Sequence, residues 1–295
     1  MTAATELRAK QDRGRKVAQN REKWASVRTY VSAAVILFWC LAPAYWMVVT
    51  AFREVGYTYD TSLLPTHVTL DNFKTAFDTS FGNRFGQALL NSVFIGVTVT
   101  VISLVVGVFA AYALARLNFR FKYLVLGFIL GASMFPGVAL ITPLFQLFTN
   151  IGWIGTYQAL IIPNISFVLP LTVYTMTSFF REMPWELEEA ARVDGCTQGQ
   201  AFRRVIMPLA APAIFTTAIL AFISSWNEFL IASQLSNDAT QPVTVAIANF
   251  AGAQPQQIPY TAIMAAGTIV TIPLVILVLI FQRKIVAGLT AGAVK

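Results

Sequence analysis

The sequence predicts an all-α integral membrane protein with six spanning helices. Of its 295 residues, 56% are hydrophobic and only 12% are charged, whereas soluble domains average about 25% charged residues. Long uncharged runs alternate with short charged segments, and one membrane crossing needs about 20 apolar residues. This composition excludes an ordinary soluble globular domain.

The positions of the charged residues define the predicted spans. The 58 uncharged residues between Lys122 and Arg181 are too many for one crossing, and the turn residues around Gly152 and Gly155 divide them. A basic leader (1–28) precedes the membrane domain (29–285), and a short tail (286–295) follows it. The predicted spans are residues 30–51, 89–114, 123–148, 158–180, 210–231 and 261–281.

The distribution of lysine and arginine predicts the orientation. With both termini in the cytoplasm, 18 of the 21 Lys and Arg residues lie in cytoplasmic segments, eight of them in the leader. Only Arg53, Lys74 and Arg84 remain outside, as the positive-inside rule expects. The net charge of +7 then reflects a leader near anionic lipid, so we expect the lipid bilayer as a partner and no nucleic acid.

The segment 181–208, here called the charged loop, is polar within an otherwise apolar sequence. Each charge in hydrocarbon costs about 2.5–3.5 kcal/mol, so the loop must lie in water, and the orientation makes it cytoplasmic. Pro184 fits a first helical turn, Gly195 fits a helix stop, and Thr197 with Gln200 fits a capping box. These signals predict two short helices at an angle.

The first of these helices has residues suited to close contact. Leu187, Ala190 and Ala191 form an apolar stripe at i, i+3, i+4 spacing, and small residues allow another surface to approach. An amphipathic loop lying on the lipid headgroups is the alternative that the pattern leaves open.

The charged loop resembles the EAA signature of permease subunits in bacterial ATP-binding-cassette (ABC) importers. That signature has Glu-Ala-Ala, three residues, Gly, nine residues, then Ile-x-Leu-Pro, and here Val205 and Met207 conservatively replace Ile and Leu. Asn91-Ser92, the run Trp226 to Phe229 and the tail 288–294 resemble the carbohydrate branch of the family, and in particular the smaller permease of maltose-type importers. The matching positions, for which the resemblance implies ATPase coupling, are Glu189, Ala190, Ala191, Asp194, Gly195, Val205 and Pro208.

The resemblance implies a type I importer permease fold with a cytoplasmic helix–turn–helix coupling element, in a bacterial inner membrane. It implies four kinds of partner and substrate: a second homologous permease, two ATPase subunits that carry ATP and Mg, an extracytoplasmic sugar-binding protein, and a disaccharide such as trehalose or maltose. No G-x-x-x-x-G-K-[ST] phosphate loop occurs in the sequence, so the chain itself should bind no cofactor and catalyse no hydrolysis. In the family, the tail contacts the ATPase, which here points to Leu289, Thr290, Gly292 and Lys295. A loop contacts the binding protein, which points to Gly252, Ala253 and Gln254. An ordinary surface loop and a disordered tail are the alternatives that the sequence leaves open for these two segments.

Several polar or aromatic residues are candidates for the translocation path. Glu228 is the only acid predicted within a span, and both sugar contact and a hydrogen-bonded strut between helices remain open for it. Amide, hydroxyl and aromatic groups suit a sugar, and the further candidates are Asn164, Tyr174, Trp226 and Asn227. We expect spans four and five to carry movement of the charged loop to this region.

Two other functions are weaker. An ion-coupled secondary carrier should have paired charges at the membrane midplane or matching interrupted helices, and neither pattern is present. A membrane enzyme should have a cluster of His, Asp or Glu near one interface, and the sole histidine, His67, is predicted to lie in an extracytoplasmic loop.

Overall fold

The computed structural model describes the backbone of every residue except 1, 81, 251–258 and 292–295, and the side chains of residues 24–282 apart from those gaps. Helices dominate the described chain. In chain order they are α1 (Thr2–Ala51), α2 (Asp71–Ala76), α3 (Phe85–Arg116), α4 (Lys122–Ser133), α5 (Gly137–Asn150), α6 (Tyr157–Glu182), α7 (Glu186–Val193), α8 (Gln198–Ala201), α9 (Met207–Trp226), α10 (Ala232–Leu235), α11 (Val243–Ala248) and α12 (Tyr260–Ala291). A 3₁₀ turn spans Val55–Tyr57, a π turn spans Phe202–Ile206, and a β-bridge joins Arg53 to Val68.

Within the described residues, α1, α3, α6, α9 and α12 are long and apolar enough to cross a membrane, and α9 does so together with the turns before it. The region predicted as span 123–148 is different. It consists of α4 and α5, which meet at 87°. Pro136 lies at the break in extended conformation, and a proline disfavours helical conformation in the residue before it. The pair therefore forms one broken span or a re-entrant segment.

The leader and the first span are one helix in the structure. Helix α1 continues without interruption from Thr2 to Ala51, so the predicted boundary near residue 28 is a change in composition rather than in backbone conformation.

Helices α3, α6 and α9 form the centre of the bundle. They pack against one another, whereas α1 lies on α12 and α12 lies on α9. In the apolar stretch of α6 that is long enough to cross a membrane, half of the residues are buried, against 11% in those of α1 and α12. The outer helices therefore present most of their apolar surface to lipid or to other subunits.

Small residues bring the central helices close together. A Cβ added to Gly107 of α3 would lie 2.6 Å from Thr172 Cγ2 of α6, and one added to Gly96 would lie 2.9 Å from the Phe222 ring of α9. Membrane helices gain packing energy mainly by such close approach, because lipid removes the hydrophobic drive between them.

The buried apolar side chains form clusters at both ends of the bundle. At the charged-loop end, Met176, Phe180 and Ile206 pack between α3, α6 and the π turn. At the opposite end, Phe85 and Trp226 pack with Val243 and the start of α12. The charged loop therefore lies directly against a cluster of buried apolar side chains.

Candidate coupling interface

Pro184 ends α6 rather than beginning α7. Met183, the residue before it, is extended (φ −74°, ψ 129°) and caps the end of α6, as expected for a residue that precedes proline. Helix α7 begins two residues after Pro184, at Glu186. The prediction that Pro184 occupies a first helical turn is therefore wrong, because its constraint falls on the preceding helix.

The end of α7 follows the prediction. Gly195 has a φ of 87°, its N–H donates to the Arg192 carbonyl over 3.0 Å, and the Cys196 N–H donates to the Ala191 carbonyl over 2.9 Å. These two bonds form a Schellman motif, for which glycine is the preferred residue. Three glutamates lie in the first turn and Arg192 in the last, so the charges at both ends match the helix dipole.

The predicted capping box is also present. The Gln200 N–H donates to Thr197 Oγ1 over 3.3 Å, and the Thr197 N–H donates to Gln200 Oε1 over 2.9 Å. These bonds satisfy amides at the start of α8 that would otherwise lack partners. The box fixes where the chain turns back toward the membrane.

The second helix of the charged loop is not a separate short helix, contrary to the prediction. Helix α8, the π turn and α9 follow one another directly, so the helical path runs from Gln198 to Trp226. The Met207 N–H donates to the Phe202 carbonyl, five residues earlier. Pro208 follows, and since its ring cannot sit over the carbonyl four residues before it, the wider turn accommodates it. No non-helical segment therefore separates the end of the charged loop from α9.

Helix α7 buries one face and exposes the other. Ala191 and Glu188 are buried, and Leu187 packs against the cluster at the charged-loop end. Ala190 is exposed, and Val193 is 86% exposed. The predicted stripe is therefore divided, with Leu187 and Ala191 facing the bundle and Ala190 facing outward.

The outward face ends in a tip formed by Ala190, Val193, Gly195 and the acidic Asp194. All four are exposed, and a Cβ at Gly195 would have no neighbour within 4 Å. Of the other predicted coupling residues, Glu189 and Pro208 are exposed and Val205 is half-buried. The tip presents a surface that another protein can approach closely.

A buried ion pair joins α7 to α3. Arg116 Nε lies 2.9 Å from Glu188 Oε1, and the two side chains are 5% and 6% exposed. These two atoms are in ionic contact without the alignment of a hydrogen bond. Glu188 Oε2 accepts a hydrogen bond from the Tyr112 hydroxyl over 3.0 Å, and Arg116 Nη2 donates to the Met183 carbonyl over 2.9 Å. The guanidinium therefore holds both the end of α6 and the body of α7.

Trp185 extends this network to the surface. Its ring lies 5.1 Å from the Arg116 guanidinium carbon, and its Nε1 donates to Glu189 Oε1 over 3.1 Å. Cation–π contact of this kind adds to the attraction around the guanidinium. Glu189, the first residue of the EAA motif, is thus connected to Arg116 of α3 through the Trp185 side chain.

The sequence analysis did not identify Arg116 and Glu188 as partners. It placed both on the same side of the membrane, which is compatible with their contact. No spacing rule connects residues 72 positions apart, so only the packing of α3 against α6 could reveal the pair.

At the opposite end, Asn91 and Ser92 anchor a loop. Asn91 Nδ2 donates to the carbonyls of Ala239 and Gln241 over 2.9 and 3.0 Å, and Asn91 Oδ1 accepts from the Tyr157 hydroxyl over 2.8 Å. Ser92 Oγ accepts from the N–H that begins α11. The dipeptide that carried part of the resemblance therefore fixes the segment 237–243 to α3.

Glu228 does not lie within a spanning helix, contrary to the prediction. Helix α9 ends at Trp226, and the Glu228 carboxylate accepts from the N–H groups of Ile231 and Ala232 over 2.8 and 3.0 Å. Burial raises the pKa of the Glu228 carboxyl, while these backbone donors act in the opposite direction. The residue caps the turn into α10 and, among the side chains that the structure describes, makes no bond to another spanning helix.

The remaining path candidates lie in different environments. Asn164 is buried and donates to Ser225 Oγ over 3.0 Å, beside a cavity of about 10 Å³, the lower limit for one water molecule. Trp226 is 2% exposed within the core. Asn227 and Tyr174 are exposed. The five candidates thus do not share one surface in this chain.

Some predicted contacts fall outside the described residues. These are Gly252, Ala253 and Gln254 of the predicted binding-protein contact, and Gly292 and Lys295 of the tail. Leu289 and Thr290 belong to the helical backbone of α12, and their side chains are outside the description.

Comparison with known proteins identifies the family of the chain. Residues 103–290 match the family model described as binding-protein-dependent transport system inner membrane component. The trehalose transport system permease protein SugB of Mycobacterium tuberculosis is 46% identical over 94% of this chain and 99% of its own. The trehalose/maltose transport system permease protein MalG of Thermococcus litoralis is 39% identical over 90% of this chain and 95% of its own.

The fold has a counterpart among solved structures. A crystal structure of a bacterial ABC transporter involved in the import of the acidic polysaccharide alginate contains a chain that aligns with a TM-score of 0.74 at 21% identity, covering 89% of this chain and 97% of that one. The predicted all-helical permease fold is confirmed. Components of this family work with a binding protein and with ATPase subunits, and they contribute no catalytic cofactor. The chain therefore belongs to the binding-protein-dependent transport system inner membrane components, the non-catalytic, multi-pass permease subunits of ABC importers.

Proposed function

We propose that this chain forms half of the translocation pathway of an ATP-driven importer for a disaccharide of the trehalose or maltose type, beside a second, homologous permease. Two relatives with trehalose in their names match along at least 90% of the chain. Such long matches extend far beyond the charged loop, so most of the membrane domain is compared.

The charged loop is the docking element for an ATPase subunit. The observation that carries this is the division of α7 into a buried face and an exposed face. Glu188 and Ala191 fix the helix to the bundle, while Val193 projects with 86% of its surface exposed. A partner that grips the exposed tip would therefore move a helix that is already anchored, and the movement would enter the bundle.

The orientation proposed with this function places the charged loop and both termini in the cytoplasm. It is supported by 18 of 21 Lys and Arg residues on one side. The segment 249–260 then faces the binding protein, with Gly252, Ala253 and Gln254 as contacts. Residues Leu289, Thr290, Gly292 and Lys295 contact the ATPase subunits.

Uptake measurements test the substrate. In a strain lacking this chain, labelled trehalose uptake should be lost and should return when the chain is supplied, with unlabelled maltose and trehalose as competitors. Competition by neither disaccharide, together with strong competition by a monosaccharide, would contradict the proposed substrate class.

A pair of valine variants tests docking. Val193→Asp places a charge at the tip, and Val55→Asp places one on a similarly exposed valine, 68% accessible, at the opposite end. We expect Val193→Asp to lower co-purification of the ATPase subunit by about tenfold, which corresponds to about 1.4 kcal/mol, and Val55→Asp to leave it unchanged. Equal ATPase recovery with both variants would contradict the docking assignment.

A further inference from the structure

Helix α3 differs from the other long spanning helices in having no internal proline. Prolines lie inside α1, α6, α9 and α12, whereas the described length of α3 contains none. Proline removes a backbone hydrogen bond and bends a helix. Helix α3 therefore lacks the break in backbone hydrogen bonding that an internal proline introduces into each of the other four helices.

Both ends of α3 are fixed to segments outside the spanning helices. At one end, Arg116 contacts Glu188 and the Met183 carbonyl. At the other, Asn91 bonds to the carbonyls of Ala239 and Gln241. These two anchoring residues are 25 positions apart, which is about 37 Å along a helix.

The anchor at the charged-loop end is difficult to loosen. If α7 tilted relative to α3, the Arg116 and Glu188 charges would separate in a place where both are almost fully buried, and an unpaired buried charge is strongly unfavourable. The Tyr112 hydroxyl bond to Glu188 would break as well. Displacement of α7 is therefore more favourable if α3 moves with it.

We propose that α3 is the rod that transmits movement of α7 to the segment 237–243 at the opposite end, and that Arg116 and Glu188 are the positioning pair that joins α7 to this rod. This inference rests on the proposed docking of the charged loop. It assigns transmission to the second spanning helix rather than to the fourth and fifth, which the sequence led us to expect.

The test uses the complete transporter, with both permeases, the ATPase subunits and the binding protein, reconstituted in proteoliposomes. The measured quantity is sugar transported per ATP hydrolysed. Glu188→Gln and Arg116→Gln should each lower this ratio by about tenfold while the ATPase subunits still co-purify. Arg120→Gln, which changes an exposed arginine four residues further on, is the matched control and should leave the ratio unchanged.

Rescue separates positioning from general stability. The exchanged pair Arg116→Glu with Glu188→Arg should recover much of the lost ratio, because the charges attract again. If the single variants fail to assemble, Tyr112→Phe decides, since it removes only the hydroxyl bond to Glu188 and should still lower transport per ATP. A normal ratio in an assembled Glu188→Gln or Tyr112→Phe transporter would overturn the inference.

The valine pair distinguishes the two levels of the proposal. If Val193→Asp loses the ATPase and Glu188→Gln transports normally, docking stands and the rod is refuted. If Val193→Asp retains the ATPase, the docking assignment itself fails.

Discussion

Replacement of Gly107 by alanine should destabilise the close contact between α3 and α6. The added Cβ would lie 2.6 Å from Thr172 Cγ2 and 3.3 Å from Thr172 Cβ, whereas non-bonded carbons prefer about 3.5–4.0 Å. Thr172 is 1% exposed, and its hydroxyl donates to the Val168 carbonyl over 3.0 Å. It cannot rotate away without losing that bond, so α3 and α6 must separate by about 1 Å.

The expected cost follows from overpacking. Extra methylenes in a packed core cost about 1–3 kcal/mol, and the better helix propensity of alanine returns up to about 1 kcal/mol. With about 2 kcal/mol for overpacking, the middle of that range, the net loss is about 1–2 kcal/mol. This should lower the midpoint of thermal unfolding in detergent by roughly 2–8 °C. Gly127→Ala is the control, because a Cβ at that exposed position on α4 would have no neighbour within 4 Å.

A second substitution tests the stated contact. Thr172→Ser removes Cγ2, the atom that the methyl group added by Gly107→Ala would strike. The double variant should therefore be more stable than the sum of the single effects by about 1 kcal/mol. Unchanged stability of Gly107→Ala, or a double variant that shows simple additivity, would refute this explanation.

Three further changes have defined outcomes. Asn91→Ala leaves the Ala239 and Gln241 carbonyls without their donor, so it should cost about 2–4 kcal/mol in detergent unfolding, whereas Asn118→Ala at an exposed site should cost little; equal effects would contradict the anchoring role. Thr197→Ala should lose about 1 kcal/mol of capping energy and speed amide exchange at the start of α8, and Thr197→Ser should retain protection; identical exchange in all three proteins would argue against the capping box. Burial raises the pKa of the Glu228 carboxyl above 4.5, so the folded state binds this proton more tightly than the unfolded state, and the group favours folding at low pH but loses that contribution as the pH rises through the raised pKa. The Glu228→Gln protein should therefore gain stability relative to the parent as the pH increases above 4.5. Parallel profiles of stability against pH for the two proteins would exclude the effect.

Local signals accounted for much of the charged loop. The glycine stop at Gly195 and the capping box at Thr197 depend on residues within four positions of one another, so their patterns could be read directly. Pro184 was misplaced because a proline restricts the residue before it as well as starting helices, and the sequence alone did not decide between α6 and α7. The join between α8 and α9 was missed because a π turn has no simple residue pattern.

The path candidates show the limit of reading spans from hydropathy. Glu228 follows a long apolar run, so the length of that run placed it inside a span, yet α9 ends at Trp226 and the carboxylate caps the next turn. Trp226 proved to be a core residue. Apolar residues lie on both sides of the end of α9, so hydropathy does not show where the helix ends.

The sequence by itself determined an all-helical membrane protein with a polar loop between two of its spans, because charged residues are costly in hydrocarbon. The EAA spacing is local, so the resemblance to permease subunits could also be recognised from the sequence. Only the tertiary structure decided that α4 and α5 meet at a sharp angle and that α7 has one buried and one exposed face. It also decided that Arg116 contacts Glu188 and that Asn91 bonds to Gln241. These contacts join residues far apart in the chain, and their pairing depends on which helix faces pack together, a choice that no short-range pattern encodes.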